Sequence, residues 1–570
     1  MNEEKREAID YVGKTTATEK TPNTVEEFHF WVEEGKIINP FDFVAVDHIE
    51  NSVTVGMVTS MKLITDAKSQ LADYVSSEFG KVESVPQTPR LQTTIGKAMV
   101  MGNIPRGSTS EILMPISSNK PVRFASEDEV RSGLGVLTIP PEKRIPIGII
   151  EMSNKSVIPI FVDQDYLLGP QGAHLNISGI TGLATKTSYI MFMIQLLYQK
   201  MKDKLAVIIF NVKQDDLLHL HEEPTDIRAV DEEMYTQLGI KKELFPLFDA
   251  QKGNSGGIKY FLPRGLRGEP NSWHIPPSYF IYAYALSDAF SRLDLLFHGV
   301  PDPYLTMRGI IDWIMENYRV QQRHGIHFTR DITDATGNII RRRNDPVITW
   351  EDLRLFDGYP REIVRFERTA WRFRGLLRQF TSSDLFVSTR TSQEVYLGEE
   401  IKKIEPGDIY VIDIAQIGDE REQAFIIGDV MRSLDEMYME EGRRGIPEKI
   451  VIYIDELNRY APRSGGFEEP SPVTQQIREI ARTGRSRGNI LFSAEQFMSS
   501  VDRQIIENSS MLVVGRSGSS ELTSDVYRFL EPEVKDIATR LKKGEVIISH
   551  PTFRRPIKIK FPQPYYKRIG

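Results

Sequence analysis

A short apolar strand, a glycine-containing loop and an amphipathic helix follow one another between His174 and Ser188. In a loop of this kind, backbone N–H groups and the positive end of the following helix converge on a polyphosphate. A lysine at the end of the loop reaches the terminal phosphates, and the hydroxyl after it binds Mg²⁺. We therefore predict a nucleotide-phosphate site in which Lys186 and Thr187 take these two roles. The predicted nucleotide-binding residues are Gly179, Thr181, Gly182, Leu183, Ala184, Thr185, Lys186, Thr187 and Ser188.

The spacing of this loop departs from the standard phosphate-binding motif. That motif has one glycine six residues before the lysine and another directly before it, whereas this chain has Ile180 and Thr185 there. Counted from Gly179, the loop is one residue longer than the standard. A left-handed backbone at Thr185 would be strained, because its side chain is β-branched. The alternative interpretation is a strand-to-helix turn that only needs glycine.

A second apolar segment ends in two adjacent carboxylates. The run that begins at Lys449 ends in Asp455 and Glu456, as expected for a buried parallel strand that delivers acids to one edge of a sheet. Phosphate-cleaving sites place one acid there to hold Mg²⁺ and a second beside it to activate water. We predict that Asp455 and Thr187 hold the metal and that Glu456 is catalytic. A similar strand ends at Asp413 without a following glutamate, and we interpret Asp413 as a strand-edge residue.

An arginine-rich helix follows this strand. The segment from Gln475 to Gln496 predicts a helix that leads into another buried strand with a polar end, where Gln496 would lie beside the γ-phosphate. The arginines indicate either a solvated helix face or an arginine finger that neutralises charge in the transition state. Two glycines place Arg485 and Arg487 near a turn, which favours the finger. Of these two candidate catalytic residues, Arg485 is preferred.

The composition predicts a multidomain protein without a membrane segment. A chain of 570 residues with 40% apolar content can bury more than one core. It has no cysteine, which excludes disulfides and thiolate sites and fits a reducing cytosol. There is neither an apolar run of about 18 residues nor a secretory leader, so we expect a cytoplasmic location and no membrane. The net charge of −8 requires any DNA contact to be local, for example in the pore of a ring.

The pattern of apolar residues changes along the chain and predicts three domains. Residues 1–165 contain short alternating segments typical of a small β-barrel or sandwich. Residues 166–224 and 401–570 alternate strands and helices, which predicts an α/β core that is split by an insertion. Residues 225–400 form the insertion, whose helical patterns predict a helical bundle. Its arginines and aromatics fit either a solvated face or contact with nucleic acid or a partner.

Two further segments leave alternatives open. On a strand, His219 and His221 would share a face, but the sequence offers no third ligand, so the pattern does not favour a metal site. The segment from Arg459 to Pro472 follows the acidic strand directly. It predicts either a loop that lines a pore or a disordered surface loop.

Taken in order, these elements resemble the HerA branch of the FtsK–HerA superfamily of ATP-driven DNA translocases, and specifically its bacterial HerA-like members. In the phosphate loop, Leu183 to Ser188 replaces the usual Ser-Gly-Lys-Ser/Thr ending. The resemblance implies a RecA-like P-loop ATPase core with an N-terminal small β-barrel of the HAS type. The segments that carry the resemblance are Tyr11 to Val58, Ser178 to Gly182, Ile454 to Glu456, Arg482 to Arg485, Gln496, and Gly544 to Phe561.

The same resemblance implies cofactors, assembly and function. It implies ATP and Mg²⁺ bound between the subunits of a hexameric ring, with Arg485 offered by the adjacent protomer and double-stranded DNA in the pore. HerA-like rings work with NurA-like nucleases in DNA-end processing, or with sirtuin-like NADases or nucleases in anti-phage defence. We therefore expect an ATP-hydrolysing DNA translocase or helicase motor that works with such an effector. The alternative is an ATP-regulated hexameric scaffold that recruits and activates the effector with little translocation.

Overall fold

The chain forms two compact units. Unit 1 contains Met1–Gln164 and Val513–Phe561, and unit 2 contains Asp165–Leu512 and Pro562–Gly570. The structure, a computed structural model, describes residues 10–83, 85, 90–106, 110–180, 185–249, 256–300, 302, 305–321, 325–328, 331–333, 336–342, 346–347, 349–355, 367–441, 447–463 and 470–569.

Unit 1 begins with a closed six-stranded barrel. The first eight strands of the chain are β1 (Tyr11–Thr16), β2 (Glu27–Val32), β3 (Phe43–Asp47), β4 (Val53–Thr65), β5 (Gln92–Ile104), β6 (Pro121–Phe124), β7 (Arg144–Glu151) and β8 (Val157–Asp163). The barrel order is β1-β2-β5-β4-β3-β6. Alternate side chains, among them Phe28, Phe30 and Val44, fill its interior, because successive residues of a strand point to opposite faces. Gly96 permits this packing, since a Cβ there would lie 2.5 Å from the ring of Phe30.

Three short helices accompany these strands: α1 (Gln70–Ser76), α2 (Glu127–Gly133) and α3 (Gln164–Leu167). The start of α2 is fixed by a reciprocal cap, in which Ser126 and Glu129 each accept a hydrogen bond from the other's backbone N–H. Helix α3 contains the junction at which the chain passes from unit 1 to unit 2.

Unit 2 is built on a parallel sheet. The strands that follow along the chain are β9 (Leu175–Ser178), β10 (Leu205–Asn211), β11 (Gly257–Pro263), β12 (Tyr279–Tyr282), β13 (Tyr284–Ala285), β14 (Tyr318–Gln321), β15 (Gly325–Phe328), β16 (Ile332–Thr333), β17 (Ile339–Arg341), β18 (Pro346–Val347), β19 (Phe386–Val387), β20 (Glu394–Val395), β21 (Asp408–Asp413), β22 (Lys449–Asp455), β23 (Asn489–Glu495) and β24 (Met511–Val514). Eight of them pair in parallel in the order β20-β12-β11-β21-β10-β22-β23-β9. The central strands are buried along their length, which explains their unbroken apolar sequences.

Eleven α-helices lie among the described residues of unit 2. They are α4 (Thr185–Met201), α5 (Ala229–Leu238), α6 (Leu286–Ala289), α7 (Thr306–Asn317), α8 (Trp350–Leu355), α9 (Glu367–Phe380), α10 (Leu397–Ile401), α11 (Glu420–Glu441), α12 (Leu457–Tyr460), α13 (Pro472–Arg487) and α14 (Arg503–Asn508). Helix α4 packs against β9, β10, β22 and β23, and α13 packs against β23 and α11. None of the helices within the described residues has both the length and the apolar character of a membrane-spanning segment.

The last segment of unit 1 follows β24, which contains the second junction. It comprises α15 (Ser519–Leu522), α16 (Pro532–Ala538), β25 (Glu545–Ser549) and β26 (Ile557–Lys560). Within unit 1 the strand order is β25-β26-β7-β8, with antiparallel pairing. The structure therefore differs from the predicted domains, because Val513–Phe561 belongs to unit 1 and not to the core segment 401–570.

The insertion also differs from the helical bundle predicted for residues 225–400. It contains α7 and α9, but β11, β12 and β20 lie in the same range and extend the parallel sheet beyond β21. The physical reason is local, because the apolar runs of β11 and β12 are rich in aromatic and β-branched residues that favour strands. A small antiparallel sheet of β14, β15 and β18 lies between α7 and α8 in the sequence.

Candidate functional site

The candidate site lies at the carboxyl edge of the parallel sheet in unit 2. Because parallel strands end at the same edge, the residues after β9, β10, β22 and β23 come together there. The strand register pairs Asp455 with Ala494 and Glu495 with Ser178. The residues that follow these strands, Gly179, Lys213, Glu456 and Gln496, thereby meet on one edge.

Lys186 is buried at the start of α4. Its ammonium group donates a hydrogen bond of 3.0 Å to the backbone oxygen of Gly179, across the loop that joins β9 to α4. Burial lowers the pKa of Lys186, and the carboxylates of Asp455 and Glu456 act in the opposite direction. The charges of Asp455 and Glu456 therefore act on Lys186. Four of the predicted binding residues lie outside the described residues: Thr181, Gly182, Leu183 and Ala184.

The first turn of α4 carries the predicted hydroxyl groups. Thr185 is its first residue and is buried, and as a helical residue it does not need the left-handed backbone that would strain a β-branched side chain. Thr187 is half-buried and lies beside the hydroxyl of Tyr453 on β22, whose pKa is raised well above its ordinary value by burial. Ser188 is buried in the helix.

The acidic pair is held in an unusual backbone geometry. Glu456 has a left-handed conformation, with φ 53° and ψ 43°, which is uncommon outside glycine. Its backbone N–H donates to Oδ1 of Asp455 at 2.8 Å. Both residues are buried. Such a conformation is strained in a residue other than glycine, and strained residues of this kind cluster at functional sites.

Lys213 is a site residue that the sequence analysis missed. It follows β10, and its ammonium group lies 3.3 Å from Oδ2 of Asp455 and binds Oε1 of Glu456. Burial alone would raise the pKa of Glu456, but the hydrogen bond and charge of Lys213 hold it below its usual value. One feature of the sequence could have indicated Lys213, because it is a polar residue that follows the buried segment of β10. In the sheet, β10 is the neighbour of β22.

The end of β23 supplies two polar residues. Gln496, which the sequence analysis places beside the γ-phosphate, donates through Nε2 to Oε1 of Glu456 at 3.5 Å. Glu495, which was not predicted as a site residue, is fully buried, and its Oε2 accepts a hydrogen bond of 3.0 Å from Asn176. Burial raises the pKa of Glu495 to about 8, while the nearby charge of Lys186 opposes the shift. A protonatable carboxyl group therefore lies at the end of β23, beside the end of β9.

The two arginines predicted as catalytic do not reach this edge in one chain. They lie at the end of α13, directly before β23 begins, and so at the opposite edge of the sheet. Arg485 is exposed and donates to the backbone oxygen of Gln171 at 3.0 Å. Arg487 pairs with Asp435 at 2.6 Å and stacks over the ring of Tyr438.

Two other sequence interpretations concern neighbouring residues. Asp413 is buried at the end of β21 and accepts hydrogen bonds from Asn211 at 2.8 Å and Ser272 at 2.5 Å. The bond to Asn211 joins the ends of two neighbouring strands, and the bond to Ser272 joins Asp413 to the segment between β11 and β12. In the predicted pore loop, Arg459 lies 3.9 Å from Oε2 of Glu456, whereas residues 464–469 lie outside the described residues.

This arrangement combines the donors that a magnesium-bound polyphosphate requires. The start of α4, Lys186 and Thr187 present positive charge, N–H groups and a hydroxyl group, and Asp455 presents carboxylate oxygens, which Mg²⁺ prefers. The residues present therefore fit a nucleotide with its metal ion.

Comparison with known proteins finds structural likeness only. No protein-family model and no curated protein matches the chain. Its structure is similar to VirB4 of Thermoanaerobacter pseudethanolicus, with 15% identity, a TM-score of 0.43 and coverage of 74% of this chain and 97% of that chain. It is also similar to the bacterial conjugative coupling protein TrwBdeltaN70, with 11% identity, a TM-score of 0.40 and coverage of 77% and 94%.

A smaller part of the chain is similar to the genome packaging NTPase B204 from Sulfolobus turreted icosahedral virus 2 in complex with ATP-gammaS. The match has 11% identity and a TM-score of 0.22, and it covers 29% of this chain and 72% of that chain. Likenesses at these TM-scores carry no argument about the function of this chain, which has to be derived from its own site.

Proposed function

We propose that the chain is an ATPase that binds ATP with Mg²⁺ at the carboxyl edge of the unit 2 sheet. The observation that carries the proposal is the buried Lys186 at the start of α4, which faces the acids Asp455 and Glu456 at the end of a central strand. A buried ammonium group next to a helix start and a carboxylate pair is the arrangement that polyphosphate cleavage requires.

Each site residue has a role in this proposal. Lys186 binds the terminal phosphates, while Thr187 and Asp455 hold the metal ion. Mg²⁺, when bound, neutralises phosphate charge and polarises the bond that breaks. Glu456 accepts the proton of the attacking water at Oε2, because Oε1 accepts the hydrogen bonds of Lys213 and Gln496. Gln496 orients the same carboxylate and senses the γ-phosphate.

The proposal extends to assembly, as the resemblance to HerA-like proteins implies. Arg485 is exposed at the edge opposite Lys186, which is where a residue has to lie if head-to-tail contact offers it to the site of the next subunit. In this assembly ATP bridges adjacent protomers of a hexameric ring, and hydrolysis moves double-stranded DNA through the pore. A NurA-like nuclease or a sirtuin-like NADase is the proposed effector, in DNA-end processing or anti-phage defence.

One observation favours the alternative, an ATP-regulated scaffold with little translocation. Lys213 engages Glu456 directly, so in this conformation the proposed base is partly neutralised. A scaffold needs ATP to be bound for long periods, which slow hydrolysis allows. The two proposals differ in whether double-stranded DNA stimulates hydrolysis.

The test is the ATPase rate of the purified full chain, measured with and without double-stranded DNA, for the wild type and for Glu456→Gln. The variant removes the proton acceptor and keeps the shape of the side chain, so hydrolysis should fall by about 10²- to 10⁴-fold while ATP still binds. Glu448→Gln is the matched control, because Glu448 is exposed and pairs with Lys204. Unchanged hydrolysis in Glu456→Gln would refute the ATPase assignment. If double-stranded DNA does not change the ATPase rate of the wild type, the scaffold is favoured.

A further inference from the structure

Three polar side chains from two segments of unit 2 meet at a second cluster, which shares no residue with the proposed nucleotide site. His219 and Glu222 lie in the segment after β10, and His274 lies between β11 and β12. One ligand atom of each of the three lies within 4.8 Å of those of the other two. The third ligand that the sequence pattern lacked is therefore supplied by the fold.

We propose that His219, Glu222 and His274 bind a divalent transition-metal ion of the zinc class. Two imidazoles and one carboxylate are a donor set that zinc takes with three protein ligands, the fourth position being filled by water or another ligand. Hard ions such as Mg²⁺ and Ca²⁺ prefer oxygen ligands throughout, so the two nitrogens select against them. This site is separate from the proposed ATPase chemistry.

The distances around Glu222 fit such an ion. Its Oε1 lies 2.6 Å from Nδ1 of His219 and 3.6 Å from Nε2 of His274. These values bracket the separation of about 3.4 Å between neighbouring ligands of tetrahedral zinc, for zinc–ligand bonds of about 2.1 Å. Among the described residues, Nε2 of His274 has no hydrogen-bond partner, although the atom is buried. A small rotation of that ring would direct the nitrogen to the ion.

The surroundings of His219 also match a metal ligand. Its other ring nitrogen, Nε2, lies 3.4 Å from Oδ2 of Asp215. Metal-binding histidines usually donate their second N–H to a carboxylate, which fixes the tautomer and directs the free nitrogen to the metal. On the other side of the cluster, Lys567 binds Oε2 of Glu222 at 2.7 Å and leaves Oε1 for the ion.

Access to the cluster is open on one side. The side chain of His219 is only 4% exposed, whereas those of Glu222 and His274 are 27% and 31% exposed. An ion can therefore enter from solvent and keep a water ligand. An ion bound there would connect the segment after β10 with the segment before β12. Through Glu222, which binds Lys567, it would also be connected to the C-terminal residues.

The experiment is a titration of the untagged, metal-free full chain with Zn²⁺, in competition with a chromophoric chelator, followed by the absorption spectrum of the Co²⁺ form. We expect one Zn²⁺ per chain, a tetrahedral Co²⁺ spectrum, and no displacement by excess Mg²⁺. His274→Ala should weaken zinc binding at least tenfold, and Asp215→Asn should weaken it about 10- to 100-fold. His221→Ala is the matched control, because its ring bonds to Tyr260 outside the cluster.

Two further measurements test whether zinc binds at this cluster and not elsewhere on the chain. Asp455→Asn should leave zinc binding unchanged, which separates this cluster from the acids of the nucleotide site. Melting curves in chelator should be the same for wild type and His274→Ala, with Zn²⁺ raising the melting temperature of the wild type only. Failure of the chain to compete with the chelator, or equal zinc affinity in wild type and His274→Ala, would overturn the proposal. The hydrogen bonds of His219 with Asp215 and Glu222 would then account for the cluster.

Discussion

The ammonium group of Lys213 donates a hydrogen bond to Oε1 of Glu456. The two residues follow neighbouring parallel strands, β10 and β22, so the sheet itself brings them together. Burial disfavours the charged form of Glu456, and Lys213 more than compensates, which holds the pKa of the carboxyl group below its usual value. Lys213 thereby favours the ionised form of the proposed base.

Replacing Lys213 should shift the pH dependence of hydrolysis. In Lys213→Met the burial of Glu456 is opposed only by the charges of Lys186 and Arg459, so the pKa of Glu456 should rise and the base should become protonated at higher pH. The acidic limb of the profile of kcat/KM should move upward by about 1 pH unit, the lower end of the effect of an adjacent opposite charge. Lys204→Met is the control, because that lysine is exposed. An unmoved acidic limb would show that Lys213 does not set the charge of Glu456.

Removing the buried ammonium group of Lys186 should abolish tight nucleotide binding. Lys186→Ala leaves the first turn of α4 without the cation that faces the acids, so we expect ATP affinity to fall at least tenfold, or about 1.4 kcal/mol. Titration with a fluorescent ATP analogue measures this. Lys200→Ala changes an exposed lysine in the last turn of the same helix and should bind normally. Equal affinities in all three proteins would contradict the site.

Mixing two inactive variants should restore hydrolysis if Arg485 acts on the neighbouring subunit. Arg485→Ala should lose about 10³- to 10⁵-fold in rate, as expected for an arginine finger. In mixed rings, a subunit with Arg485→Ala can use its own Lys186 together with the Arg485 of a Lys186→Ala neighbour. ATPase activity of the mixture, compared with each variant alone, measures this complementation.

The companion variant Arg487→Ala distinguishes the two arginines. Arg487 already pairs with Asp435 in its own chain. This variant should therefore lower the melting temperature of the protein and leave its ATPase rate nearly unchanged. Full activity of Arg485→Ala, or a mixture that remains inactive, would argue against an arginine supplied between subunits.

Glu495 should make the stability of the protein depend on pH. Its pKa is about 8 in the folded chain, above the ordinary value of 4.5, so the folded state binds the proton more strongly. This contribution is complete below about pH 4.5 and is lost as the pH rises through 8. Glu495→Gln, which resembles the protonated form, should therefore show a flatter decline of melting temperature from pH 5 to 9. Glu422, whose pKa burial raises to about 7, should leave a residual slope. Parallel curves for wild type and variant would contradict this role.

A buried ion network outside the site should dominate local stability. Arg292 is 3% exposed and donates to Asp429 at 2.9 Å and to Glu436 at 2.6 Å. Arg292→Ala leaves the fully buried Asp429 without its cation, and breaking such a pair typically costs about 3–5 kcal/mol of unfolding free energy. Urea denaturation measures the loss. Arg432→Ala is the comparison, because its pair with Asp294 is more exposed and should cost less.

Several elements of the core were predictable because their signals are local. The apolar strand and the amphipathic helix predicted on either side of the glycine-containing loop are confirmed as β9 and α4. The acids Asp455 and Glu456 end a buried strand, as the apolar run before them indicated. The insertion was less predictable, since β11, β12 and β20 reach the sheet only through pairing with strands distant in sequence.

The sequence by itself determined which segments are buried strands and helices and which of them end in acids or a lysine, because apolar periodicity acts over a few residues. Only the tertiary structure decided that Lys213 binds Glu456, that Glu495 is buried beside the phosphate loop, and that His274 joins His219 and Glu222. These relationships depend on strand order and loop packing, which bring together residues that are far apart along the chain, so no local pattern of residues specifies them.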